Sequence, residues 1–283
     1  MQGKIDPKIL GAGNRDPALR PAINGAAING TEAYSTMTPV RVQFLGSGDA
    51  FGSCGRFQTC ILVTAPDTRL IMDCGASSLI AMRQFGVEPN SIDTVLITHL
   101  HGDHFGGLPF FILDAHFMSR RTKPLTVAGP PGTIDRLAQA MEVLYPGSSQ
   151  IKLRFSLEIS ELEPETSTRF DGMSVIPYTV KHSCGCPPYA LRVTCGGKTV
   201  TYSGDTEWTD NLIPASDGAD LMIVECTQFD KPVSFHLDYL TLQAHKDQLH
   251  AARIVLTHMG PDMLARVEDL DWEAAHDGKV IEL

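Results

Sequence analysis

From residue 40 onward, compact apolar runs alternate with polar breaks that carry glycine or proline. "VRVQFLG" (40–46), "TCILVTA" (59–65) and "RLIMDCG" (69–75) are short, rich in β-formers and bounded by turn residues, which predicts three strands. "ASSLIAMRQFG" predicts a helix ending on Gly86. "DTVLITH" (93–99) is apolar without alternation, as expected of a strand buried on both faces. Next come a helix past Pro109 in "FGGLPFFILDAHFMSRR", a strand in "PLTVAGP" and a helix in "GTIDRLAQAMEVLY". The second half repeats the theme with strands in "SVIPYTVKH", "YALRVTC", "KTVTYSGD", "DLMIVECT" and "RIVLTHMG", and an amphipathic helix in "LDYLTLQAHKDQLHA". "TVLITHL" and "RIVLTHM" echo one another, which suggests two related halves, each delivering a histidine from the end of a core strand. The polar stretch 146–170 is expected to form a flap or excursion.

This pattern assigns residues 37–283 to one domain. Residues 1–36, rich in Gly, Ala, Asn and Pro and lacking an apolar stretch, read as an irregular leader, with Met37 placed as a start. No apolar run is long enough to span a bilayer. With 43% hydrophobic and 20% charged residues the chain has an ordinary globular composition. Its net charge of −10 argues against a broad basic footprint for nucleic acid. The seven cysteines are odd in number and scattered, a poor disulfide framework that suits a reducing, cytoplasmic setting. The tight pair Cys184-Gly-Cys186 reads as two small residues in a turn.

One short stretch changes the picture. "THLHGDHFGG" (98–107) puts His99, His101, Asp103 and His104 within six positions, just after a predicted core strand. Imidazole nitrogens and carboxylate oxygens are ligands for Zn2+, and they also suit Mn2+ or Fe2+. A turn there would splay the four around a cavity, with Gly102 allowing the turn and Gly106-Gly107 a close approach of the next helix. His182, Asp205 and His258 each fall just past another predicted strand, where open α/β sheets place their chemistry. Together these seven residues make a plausible two-metal site.

The order H-x-H-x-D-H, then His, Asp and His, resembles the metallo-β-lactamase superfamily across roughly residues 40–260. The resemblance implies an α/β fold, a four-layer αββα sandwich of two mixed sheets with helices outside and the site at one edge. It implies that His99, His101 and His182 hold one divalent ion, that Asp103, His104 and His258 hold a second, and that Asp205 bridges them. Zn2+ fits this set best, and Mn2+ is also compatible. Asp73 in "LIMDCG" matches a superfamily aspartate expected to brace the histidine loop.

Two metals a few ångströms apart can lower the pKa of water and aim a hydroxide at an electrophile, which is hydrolytic chemistry without a named bond. Three features narrow it. The His182 context, "HSCGCPPYALRV", lacks the H-T-P-G of glyoxalase II-like and lactonase-like members and is similar to ribonuclease Z and its phosphodiesterase relatives. The opening loop "FLGSGDAFGSCGRFQTC" is similar to theirs and reads as a hairpin turn rather than a direct phosphate contact. His236, just before a predicted helix, is spare once the metals have their ligands; its H-x-D context resembles the cyclic phosphodiesterase of phosphonate degradation. A histidine there can protonate a departing alkoxide, so His236 and Asp103 are the catalytic candidates, with Glu225 as a partner that orients His236.

A tRNA-processing member usually carries a long basic arm, which is missing here. Glu158, Glu161, Glu163 and Glu165 would instead repel a nucleic-acid backbone, so the reading favours a small or cyclic nucleotide-like phosphodiester over tRNA. The alternatives are a lactone or ester hydrolase of the same fold and a non-catalytic metal-binding carrier or sensor. A homodimer is compatible with the resemblance. His116, His245, His250 and His276 read as structural or solvent-facing, and Trp208 as a pocket-lining candidate. No substrate-binding residue is assigned.

Overall fold

The computed structural model describes residues 39–283, so the expected leader (1–36) and the start at Met37 lie outside the described residues. Thirteen of the fourteen strands enter two sheets in chain order. The first sheet takes β1 (Arg41–Gly46), β2 (Cys60–Thr64), β3 (Arg69–Met72), β4 (Thr94–Leu96), β5 (Leu125–Gly129) and β6 (Leu157–Glu161). The second takes β7 (Thr168–Phe170), β8 (Met173–Thr179), β9 (Tyr189–Cys195), β10 (Lys198–Tyr202), β11 (Leu221–Glu225), β12 (Ile254–Thr257) and β13 (Glu273–Ala274). The last, β14 (Val280–Glu282), returns to the first sheet and pairs antiparallel with β1. The orders are β14-β1-β2-β3-β4-β5-β6 and β13-β12-β11-β10-β9-β8-β7. Each sheet is mixed: β3 to β6 run parallel in one and β10 to β13 in the other.

The unbroken apolar runs follow from having two buried faces. In β11, Leu221 and Ile223 point into the core between the sheets, while Met222 and Val224 pack under outer helices. In β2, Ile61 and Val63 face the partner sheet and Cys60 and Leu62 face outward. Helices α1 (Ser78–Gln84), α2 (Gly102–Phe105), α3 (Leu108–Phe117) and α4 (Thr133–Leu144) accompany the first sheet; α5 (Leu212–Ser216), α6 (Tyr239–Ala244) and α7 (Pro261–Leu264) accompany the second. This is the expected αββα sandwich. Among the described residues, no helix is long and apolar enough to cross a membrane.

Three local expectations need correction. The 146–170 stretch contributes β6 and β7, the edge strands of the two sheets, rather than a flap. Its charges are used locally: Glu161 Oε1 accepts from Gly132 N at 2.9 Å and so caps the start of α4. The helix expected over 237–251 stops at Ala244 and passes into a 3-10 turn at Lys246–Gln248. Gly102 does not enable a turn; it begins α2 with open space where a side chain would go. The glycines that matter are Gly75, whose added Cβ would lie 2.2 Å from the Asp103 carbonyl oxygen, and Gly107, whose Cβ would lie 2.2 Å from that of Gly75. Gly75 holds α2, and Gly107, the N-cap of α3, holds the start of the next helix, against the segment after β3, as expected of Gly107.

Candidate metal centre

The C-terminal ends of parallel strands from both sheets meet at one rim. Asp73 follows β3, His99 follows β4, Asp205 follows β10, Glu225 ends β11 and His258 follows β12. The echoing strands thus lie in different sheets, and each hands over its histidine at the same edge. Asp73 and His258 both hold left-handed backbone, with φ 61° and 55°, in a region that non-glycine residues seldom adopt. Asp73 is fully buried and accepts from Thr98 N at 2.8 Å and Thr98 Oγ1 at 2.9 Å. Its other contact is His104 Nδ1 at 2.6 Å. Burial opposes protonation of His104, but the carboxylates of Asp205, Asp73 and Asp103 hold its pKa well above the ordinary value. Once a cation displaces the Nε2 proton, an Nδ1–H donated to Asp73 keeps that lone pair facing the cluster.

The seven ligand-type residues form two groups, each with donor atoms within 4.8 Å of one another: His99, His101 and His182, and Asp103, His104, Asp205 and His258. The carboxylate of Asp205 lies between them. Its Oδ2 is 3.9 Å from His99 Nε2 and 4.0 Å from His182 Nε2, while its Oδ1 is 3.2 Å from His104 Nε2 and 3.5 Å from His258 Nε2. Asp103 Oδ2 sits 3.1 Å from His104 Nε2 and 3.3 Å from His258 Nε2. His182 Nε2 and His101 Nδ1 approach to 3.1 Å, and the other nitrogen of His182 faces the Phe235 carbonyl oxygen at 2.9 Å. Phe235 takes φ 71° to present that oxygen.

Divalent metals fit this donor set. His99 Nε2, His104 Nε2 and Asp205 Oδ1 are buried and make no hydrogen bond, a costly arrangement unless a cation supplies the missing partner. Burial, reinforced by the neighbouring imidazoles, holds the His99 pKa well below its ordinary value, so its lone pair is free for a cation. On the other side burial opposes protonation of His258, but the carboxylates of Asp205 and Asp103 overcome it and push the pKa up to about 9. In the metal-free protein His258 is therefore charged at neutral pH. The stabilisation from this pairing is full below about pH 6.5, the ordinary histidine value, and fades as pH rises through about 9. Loading a metal at pH 7 must displace that proton. Calorimetric titration of Zn2+ in buffers of differing ionisation enthalpy is expected to show net proton release and an apparent affinity that rises with pH; a proton-neutral titration would contradict this.

His236 stands beside the clusters with its Nδ1 3.0 Å from Glu225 Oε1 and 4.0 Å from Asp205 Oδ2. Two further groupings could include it as a ligand, one with His182 and Asp205 and one with Glu225 and His258. Glu225 is completely buried and is fixed by Thr206 N at 2.7 Å and Thr227 Oγ1 at 2.8 Å. Burial lowers the basicity of His236, but hydrogen bonding to Glu225 and its charge outweigh that and raise the pKa. The site opens into a cavity of about 410 Å³ floored by His101, Asp103, Asp205 and His258 and walled by Asp49, Phe51, Gln228 and Pro261. Asp49 and Phe51 come from the Gly-rich opening loop that the sequence singles out, whereas Gln228 and Pro261 are brought there only by the fold. Trp208 does not line this cavity. It stacks on His245 at 3.9 Å and borders a separate hollow behind His236. The remaining histidines join neither cluster. Cys184 and Cys186 place their sulfurs 3.4 Å apart in the turn after His182.

Residues 40–275 match the family described as Anti-Pycsar protein Apyc1. Ribonuclease Z of Lachnoclostridium phytofermentans is 31% identical over 160 residues, which is 56% of this chain and half of that protein. Ribonuclease Z of Agathobacter rectalis is 24% identical over 302 aligned positions, covering 86% of this chain and 97% of that one. Among solved structures, a diphosphatase from the PhnP family superposes with a TM-score of 0.71 at 18% identity, covering 86% of this chain and 98% of that one. The chain belongs to the Anti-Pycsar protein Apyc1 family and has the metallo-β-lactamase fold.

Proposed function

We propose that this protein is a two-metal phosphodiesterase acting on a small or cyclic nucleotide-like phosphodiester. The observation that carries the reading is His236. It has a buried carboxylate at 3.0 Å on Nδ1, it borders the cavity, and the two ligand groups are complete without it. A ring-opened lactone, giving a carboxylate and an alcohol, needs less leaving-group acid than a phosphodiester, whose alkoxide leaves phosphorus poorly without a proton.

In this reading His99, His101 and His182 hold one divalent ion, Asp103, His104 and His258 hold the other, and Asp205 reaches both. Asp73 fixes the tautomer and direction of His104. The ions, Zn2+ or Mn2+, supply a lowered water pKa and offset the charge that builds on the phosphoryl oxygens. His236, held by Glu225, presents its Nε2 proton to the departing oxygen. The phenylalanyl carbonyl at 235 sets His182, so one short segment positions both a ligand and the acid.

A small substrate is supported by the cavity, which at about 410 Å³ suits a single nucleotide, and by the net charge of −10. The ribonuclease Z relatives keep tRNA in view as the competing substrate class. A panel decides: metal-loaded protein is expected to hydrolyse a nucleoside 3′,5′-cyclic phosphate and bis(p-nitrophenyl) phosphate, and to leave a γ-lactone and a precursor tRNA intact. Turnover of the lactone without the diesters would overturn the proposal.

A further inference from the structure

The loop between β1 and β2 carries Phe51 at its tip, 94% exposed, on the wall of the cavity that holds the metal-type residues. An aromatic ring so open to water is usually mobile, but this one sits on a braced loop. Asp49 accepts from Ser53 N at 2.9 Å, Ser53 Oγ at 2.6 Å and Phe51 N at 3.2 Å, closing a tight turn around the ring's backbone. Gln58 Nε2 donates to the Ala50 carbonyl oxygen at 2.9 Å. At the loop's base, Asp277 accepts from Ser47 N at 2.9 Å and Phe57 N at 2.7 Å. Gly46 and Gly48 let the two arms close on each other: an added Cβ would fall 1.9 Å from the Gln58 carbonyl oxygen and 2.8 Å from Arg56 Cβ, respectively.

A rigid support under a bare ring is what a stacking surface requires, because the ordering entropy is already lost before the ligand arrives. Phe51 lines the cavity whose floor would hold the phosphodiester, so a planar group carried by the same ligand would come within reach of its ring. We propose that Phe51 is the stacking platform for the base of a nucleotide substrate. This rests on the phosphodiesterase reading above and adds a recognition element to it. Every base has a π-face, so the platform binds purines and pyrimidines alike, with the larger purines gaining more.

The test compares a nucleoside 3′,5′-cyclic phosphate with methyl riboside 3′,5′-cyclic phosphate, the same ring without its base. In Phe51→Ala the ratio of kcat/KM between the two is expected to fall about 5- to 100-fold, mostly through KM for the nucleotide, and Phe51→Trp is expected to restore it. Binding is read separately: Phe51→Trp fluorescence is expected to be quenched by a nucleoside 5′-monophosphate beyond any quenching in the parent. An unchanged ratio overturns the proposal. So does a change of sedimentation coefficient in Phe51→Ala, which would show the ring covered by a second copy of the chain. Should the parent hydrolyse neither diester with metals bound, the phosphodiesterase reading fails and the fluorescence arm alone decides on Phe51, absence of quenching refuting it.

Discussion

His236→Ala lowers kcat for an unactivated phosphodiester by about 10²- to 10⁴-fold, the range expected when a positioned general acid is lost. The loss shrinks for a p-nitrophenyl ester, whose leaving group departs without a proton, and metal content per chain stays at the parent value. That last readout separates the acid from a ligand, since His236 also lies within reach of both alternative groupings. Glu225→Gln refines the assignment. The Glu225 carboxylate raises the His236 pKa against the effect of burial. The acid works protonated, so activity falls as pH rises through that pKa. Removing the carboxylate's charge lowers the pKa, and the alkaline limb of kcat moves to lower pH. A profile that moves upward, or does not move, contradicts the role given to Glu225.

Asp205→Ala produces the second large effect. Its two oxygens face the two ligand groups at 3.2 to 4.0 Å, and no other described carboxylate spans them. Truncation removes a donor from the Asp103–His104–His258 group and the carboxylate oxygen facing His99 and His182, and leaves the buried histidines without their shared counter-charge. The rate is expected to fall by at least about 10³-fold, the upper range for loss of one preorganised electrostatic group. Bound metal should drop below two ions per chain by elemental analysis. Asp205→Ala retaining both ions and a rate within tenfold of the parent would remove Asp205 from the centre.

That the seven ligand-type residues come together was legible in the sequence, because most of them stand just past predicted core strands. His99, Asp205 and His258 each follow an apolar strand, and a sheet ends all its parallel strands at one rim, so position along the chain translates into proximity in space. What the sequence could not carry is contact between distant segments. Asp277 braces the loop at Ser47 from 230 positions away and sits in a charged tail with no periodicity. Strands β13 and β14 are short edge strands, too brief to register as a run. The 146–170 stretch looked like an excursion because edge strands are half-wetted and so keep polar residues. Glu225 could be guessed as a partner from its nearness to His236 in sequence, but its burial and its distance to that ring are tertiary facts. The loop around Phe51 was singled out in the sequence, but Phe51 itself was not: an aromatic in a glycine-rich loop gains meaning only once the loop is seen at the cavity.

The central claim, a two-metal centre that cleaves phosphodiesters, is tested most directly by following hydrolysis of a nucleoside 3′,5′-cyclic phosphate while metal-stripped protein is titrated with Zn2+ or Mn2+. The account predicts no turnover without metal and a rate that rises to a plateau at two ions per chain. Turnover in the stripped protein, or none at any loading while a lactone is opened, would contradict it.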